Sequence, residues 1–116
     1  MKTVTDKAEI SVDFPDKAYM GSFGRHSQYG VTANAEGICL KLVHPGEDRR
    51  VVELNIHYYL LADILDELAD ALAAQPHLDE GHRKPMLDAA KRLDRALASR
   101  PSRSKRKRSS SSKPRG

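Results

Sequence analysis

Between Ser99 and Gly116 the chain carries Arg100, Arg103, Lys105, Arg106, Lys107, Arg108, Lys113 and Arg115, eight fixed positive charges without one carboxylate. Side chains of this kind neutralise phosphates and release the counterions condensed on a nucleic acid. The run Lys105–Arg108, set among serines, suits an arm lying along phosphates. It equally suits an address read by a nuclear import receptor, or a basic signal for another acidic receptor or an anionic membrane surface. Aromatic residues are missing from the segment, so stacking on bases and base readout are not expected from it. Ser109 stands three residues after Arg106, a context similar to basophilic kinase sites. Phosphorylation there would remove roughly two units of positive charge.

The mean charge hides this feature. The whole chain of 116 residues has 20 Lys and Arg against 16 Asp and Glu, a formal +4. Removing the eight terminal bases leaves 20 − 8 = 12 bases against all 16 acids in residues 1–98, a net of −4. An acidic body thus carries a strongly basic tail, and long-range attraction to a polyanion belongs to the tail alone.

Within the body the most site-like stretch is "GRHSQYG". Arg25, His26, Gln28 and Tyr29 offer a cation, a titratable ring, an amide and an aromatic between Gly24 and Gly30. They are candidate body contacts to a phosphate or base, set against an ordinary polar hairpin loop. Asp63, Asp66, Glu67 and Asp70 line one side of a helical pattern. They form a candidate face for a basic protein partner, or for the chain's own tail, set against an ordinary solvated helix face.

His77, Asp79, Glu80 and His82 cluster without matching a recognised metal spacing, so no metal is expected. Cys39, the single cysteine, excludes an internal disulfide and any multi-cysteine zinc site. It reads as a packing cysteine rather than a nucleophile. Glycine-rich phosphate loops, catalytic serine motifs and paired-carboxylate signatures are all missing, so neither an enzyme nor a cofactor is expected.

The elements that must position these residues follow from hydrophobic period. Ile10, Val12 and Phe14 alternate with Ser11 and Asp13, as in a half-buried strand. Residues 18–23 form a second strand candidate, with Tyr19 and Phe23 on one face and Met20 on the other. A polar loop over Gly24–Gly30 follows, with a strand resuming near Val31. Ile38, Leu40 and Leu42 mark the clearest strand, and Val52 and Leu54 mark its partner across the turn "HPGED". Short connections predict antiparallel pairing.

At Asn55, a favoured N-cap, the period changes. Leu61, Ile64, Leu65, Leu68 and Leu72 then make an i, i+3, i+4 stripe of the kind that packs on a sheet. Pro76 ends that helix. Pro85 suits the first position of a second helix, with Asp88 and Arg92 as an ion pair and fraying near Ser99.

The expected fold is α+β: a four- to five-stranded antiparallel β-meander, a long amphipathic helix and a shorter one, with a disordered basic tail. Residues 1–98 form the acidic domain and residues 99–116 the polybasic tail. This order of elements is similar to the general plan of several small single-stranded-DNA-binding and transcription-cofactor domains, a likeness of topology without a shared motif.

The function expected is a non-enzymatic nucleic-acid-associated, DNA-binding or regulatory protein. The tail gives non-specific phosphate affinity, and the body gives homodimerisation or partner contacts. The alternative is a protein-binding adaptor, inhibitor or effector whose tail is a localisation or export signal. The N-terminus lacks a signal-peptide core and no run approaches about 20 apolar residues. A cytoplasmic, nucleoid-associated setting is therefore expected, or a nuclear one in a eukaryotic cell, without membrane insertion.

Overall fold

Alternation of apolar and polar residues builds six antiparallel strands, and a change of period at Tyr58 builds two helices. The computed structural model describes residues 1–75 and 78–99. In chain order the strands are β1 (Lys2–Thr3), β2 (Ala8–Phe14), β3 (Lys17–Phe23), β4 (Gln28–Ala33), β5 (Gly37–His44) and β6 (Arg50–His57). The helices are α1 (Tyr58–Ala74) and α2 (Glu80–Ala98). The described chain is α+β and divides after Asp70 into two compact units, the second opening at Ala71.

In the first unit, β1-β4-β5-β6 form one sheet and β2-β3 a separate hairpin. This corrects the expectation of one continuous meander. The reason is that β1 occupies the edge of β4, with Lys2 opposite Tyr29 and Thr3 opposite Gln28. The hairpin therefore cannot extend that ladder. It rests against the sheet where β3 meets β5.

Register sorts the four-stranded sheet into two unlike faces. Val31, Leu40 and Leu54 lie in one row, Ala33, Ile38 and Ile56 in the next, and Tyr29, Leu42 and Val52 in a third. Every one of these side chains is on the same face, because period two carries alternate residues to one side. The opposite face holds Thr32, Cys39 and Asn55, and then Lys41 and Glu53. Cys39 thus stands among polar neighbours, half-buried and unpaired.

The turns follow local chemistry. Asn34 Oδ1 accepts the backbone N–H groups of Glu36 at 2.8 Å and Gly37 at 3.1 Å, an Asx-type closure of the β4–β5 turn. Gly46 has φ +100°, which explains the glycine in the β5–β6 turn. Gly37 lies so close to β6 that an added Cβ would fall 2.3 Å from the Ile56 carbonyl oxygen. Close backbone approach fixes the ladder there.

Two helix starts differ from expectation. Asn55 is a strand residue opposite Cys39 rather than a cap, and Ile56 and His57 complete β6 opposite Ile38 and Gly37. The ladder continues to the last residue that β5 can pair, and α1 begins at Tyr58 without an intervening residue. Tyr58 ties this junction down: its N–H donates to Glu36 O at 3.3 Å and its Oη–H to Asn34 O at 2.7 Å.

Helix α2 starts at Glu80, not Pro85, because Asp79 caps it. Asp79 Oδ1 accepts the His82 N–H at 2.9 Å. Pro85 consequently lies inside the helix, where it cannot donate to the Gly81 carbonyl. Asp88 pairs with Lys84 at 3.1 Å rather than with Arg92, and the helix ends at the Ser99 cap. We expect Asp79→Ala to destabilise α2 by about 1 kcal/mol, read as lost helical circular dichroism on mild heating. Unchanged helicity would rule out the cap.

The expected packing of the α1 stripe onto the sheet does not occur. No residue of α1 is buried, and α1 runs along none of the strands. Among the described residues only Val4 and Phe23 are buried apolar side chains.

Candidate polyanion-binding tail and an open apolar cleft

Arg100, Arg103, Lys105, Arg106, Lys107, Arg108, Lys113 and Arg115 lie outside the described residues, as does His77. What the structure gives is their point of departure. Ser99 closes α2 by donating its N–H to Arg95 O at 3.0 Å. Upstream of it, α2 carries Arg83, Lys84, Lys91, Arg92 and Arg95 against Glu80, Asp88 and Asp94. The last helix before the tail is thus net basic while α1 is purely acidic.

The ion pairs of α2 are local. Arg83 holds Glu80 with Nε and Nη2 at 3.0 and 3.1 Å. The hydrogen bonds and then the charge attraction hold the Glu80 carboxyl below its ordinary range and Arg83 above its own. Both groups are fully exposed, so water screens the pair. Asp79 Oδ1 also meets His82 Nδ1 at 2.7 Å. Asp79, Glu80 and His82, which stand near His77 in sequence without a recognised metal spacing, are occupied with one another and with Arg83 at the helix start. Among the described residues no group of three or more His, Cys, Asp or Glu converges as a metal site.

The stretch from Gly24 to Gly30 is shorter as a loop than expected. Ser27 N–H donates to Gly24 O at 2.8 Å, closing a four-residue turn with Arg25 and His26 exposed at its tip. Gln28, Tyr29 and Gly30 belong to β4, since their backbones are paired by β5 and partly by β1. Gln28 is exposed on the polar face of the sheet, and Tyr29 is half-buried on the apolar face. The structure brings Arg25 and His26 together at one tip and sends Gln28 and Tyr29 to opposite faces.

Asp63, Asp66, Glu67 and Asp70 are all exposed on α1, at a spacing that stacks them along one side of the helix. Among the described residues, none is in an ion pair; those formed are Lys7–Glu9, Asp79–His82, Glu80–Arg83 and Lys84–Asp88. Leu61, Ile64, Leu65 and Leu68 occupy the other side.

Residues outside the candidate site sets make the buried part of the first unit. Phe23 is 1% exposed and Ser27 0%. Ser27 Oγ and His44 Nδ1 are hydrogen-bonded at 3.1 Å, and Ser27 O accepts the Val4 N–H at 3.0 Å. Opposite His44 stands Arg50, whose guanidinium carbon lies 5.6 Å from the Phe23 ring centroid. Arg50 Nη2 donates to Ser22 O at 2.8 Å, while its Nε is buried without an acceptor among the described residues. A cation in phase with Val52 and Leu54 was the available signal: period two puts it on the apolar face.

Between hairpin and sheet lies an open cleft of about 560 Å³. Ile10, Val12 and Tyr19 line it from the hairpin, Val52 and Leu54 from β6, and Arg50 stands at its end. The lining side chains share the apolar faces of their elements, so the cleft is where the two half-covered surfaces gape. No helix among the described residues is long and apolar enough to cross a membrane. No family model, curated protein or solved structure matches the chain.

Proposed function

We propose that this chain is a small non-enzymatic nucleic-acid-associated protein whose tail supplies phosphate affinity and whose acidic body supplies dimerisation or partner contacts. The observation that carries the reading is the reversal of charge along the chain. Residues 99–116 hold eight bases and no acid, on a body with 12 bases and 16 acids. A run of bases without a carboxylate neutralises successive phosphates without internal charge cancellation. The exposed Arg25 and His26 at the β3–β4 turn add one further cation and one titratable ring to the contact set.

The test is fluorescence anisotropy with labelled duplex DNA, single-stranded DNA and RNA, titrated across salt. We expect affinity to fall steeply with salt for all three, with little dependence on sequence. A flat salt response contradicts the reading. The three probes also separate DNA from RNA preference.

A second reading, a protein-binding adaptor, inhibitor or effector with a targeting tail, is favoured by the acidic stripe of α1. Its four carboxylates are exposed and have no ionic partner among the described residues. Fusing residues 99–116 to a reporter discriminates. Relocation of the reporter, with no nucleic-acid binding by the full chain, supports this second reading over the first.

A further inference from the structure

Helix α1 has 17 residues and buries none of them. Most of the stability of a helix in a protein comes from packing its apolar face rather than from the propensity of its residues. The hairpin and sheet have the converse need, an apolar cleft with nothing along it. One chain thus carries a helix without a floor and a floor without a helix.

The junction between them explains why they do not meet within the chain. β6 ends at His57 and α1 begins at Tyr58. A helix that folds back over the sheet of its own strand ordinarily needs a connection of about 2–6 residues. Here there is none, and Tyr58 is pinned to Asn34 and Glu36. Gly37 locks β6 against β5 at the same end. Helix α1 makes no substantial contact with the strands that line its own cleft.

We infer that the occupant of the cleft is α1 of a second copy of this chain, in a two-fold symmetric dimer that exchanges helices. A two-fold axis satisfies both deficits at once, since each copy donates one helix and receives one. Leu61, Ile64, Leu65 and Leu68 of one copy enter between the hairpin and β6 of the other. The area is sufficient. Ile64, Leu65, Leu68, Phe14, Tyr19, Val31 and Leu54 are each 38–57% exposed, and Leu60 and Tyr58 add to them. Together they offer on the order of the roughly 800 Å² per partner of a standard stable interface.

Other segments fit less well. The tail has no large apolar side chain from Ser99 onward. The acidic stripe, on the other side of α1, stays in water when the leucines are buried, which avoids desolvating four carboxylates.

The inference rests on the dimerising role given to the body above. Its readout is mass and proximity, so it stands or falls apart from nucleic-acid binding. Light scattering on the full chain should give 25.8 kDa, twice the 12.9 kDa of one copy. Inserting Gly-Ser-Gly-Ser-Gly between His57 and Tyr58 supplies the missing connection, lets α1 close over its own cleft, and should halve the mass with helicity retained. A wild-type mass of 12.9 kDa overturns the proposal, as does an insertion variant that folds and remains dimeric.

Should the insertion prevent folding, isotope-filtered NMR on mixed labelled and unlabelled wild type decides. Intermolecular contacts of the Ile64, Leu65 and Leu68 methyls with Val52, Leu54 and Tyr19 support helix exchange. A dimer lacking them overturns it.

Discussion

Replacing Lys105, Arg106, Lys107 and Arg108 together by glutamine should halve the salt dependence of duplex-DNA binding. Each neutralised phosphate contributes about −0.9 to the slope of log affinity against log salt. If all eight tail bases engage, the wild-type slope is about −7, and four of them leave about −3.6. Between 50 and 200 mM salt the wild-type chain should then lose roughly 10⁴ in affinity, and the variant only about 10². The variant should also bind more weakly at low salt. Anisotropy titrations at four or five salt concentrations measure both. Because the substituted residues contribute no large apolar surface, the thermal unfolding of the body should not move. A slope unchanged by the four substitutions would locate the phosphate contacts elsewhere, with Arg25 and the bases of α2 the next to examine.

The second large effect is on stability. Phe23→Ala should cost about 3–5 kcal/mol, the usual range for a buried phenylalanine. Phe23 is nearly inaccessible and has the Arg50 guanidinium above its ring. Truncation removes the apolar transfer term, opens a cavity and takes away the cation–π contact. The total stability of a domain is only about 5–15 kcal/mol, so this one change removes much of it. Few other buried apolar residues share the load, since Val4 is the one companion among the described residues. Urea unfolding followed by circular dichroism should show a large fall in midpoint. Phe23→Leu, which keeps most of the volume, should cost less than half as much. Equal effects from the two variants would show that the aromatic ring itself, with the Arg50 guanidinium over it, carries the stability rather than the volume it fills.

Where the sequence was legible, the signal was local. Strict alternation in residues 8–14 and 37–44 marked β2 and β5 because each has one apolar face, and alternation is what half-burial demands. The α1 stripe was legible for the same reason at the helical period. What could not be read locally depended on a partner strand. Gln28, Tyr29 and Gly30 look like loop residues, and become strand because β5 and β1 take up their backbone groups. Asn55 has the chemistry of a cap, yet pairing with Cys39 outweighs that local preference.

At α2 two local signals competed, Pro85 and Asp79, and the side chain that satisfied a free N–H set the start. The charge reversal that supports the functional reading needed only counting. The cleft was not countable, because it depends on how far the hairpin stands from the sheet. The zero-length junction was equally invisible so long as Asn55 was taken as the helix start.

The position of β6 has a consequence for handling the protein. It is the outermost strand of the four-stranded sheet, eight residues long, and contains no proline. Of its residues only Arg50 and Glu53 carry a fixed charge. A long, sparsely charged ladder edge is a template on which other chains can add strands. A variant that strips a charge from this edge, Glu53→Gln, should therefore precipitate as cross-β aggregates at concentrations where the wild-type chain stays clear. A lysine placed at Val51, which faces away from the apolar side, is the conservative guard.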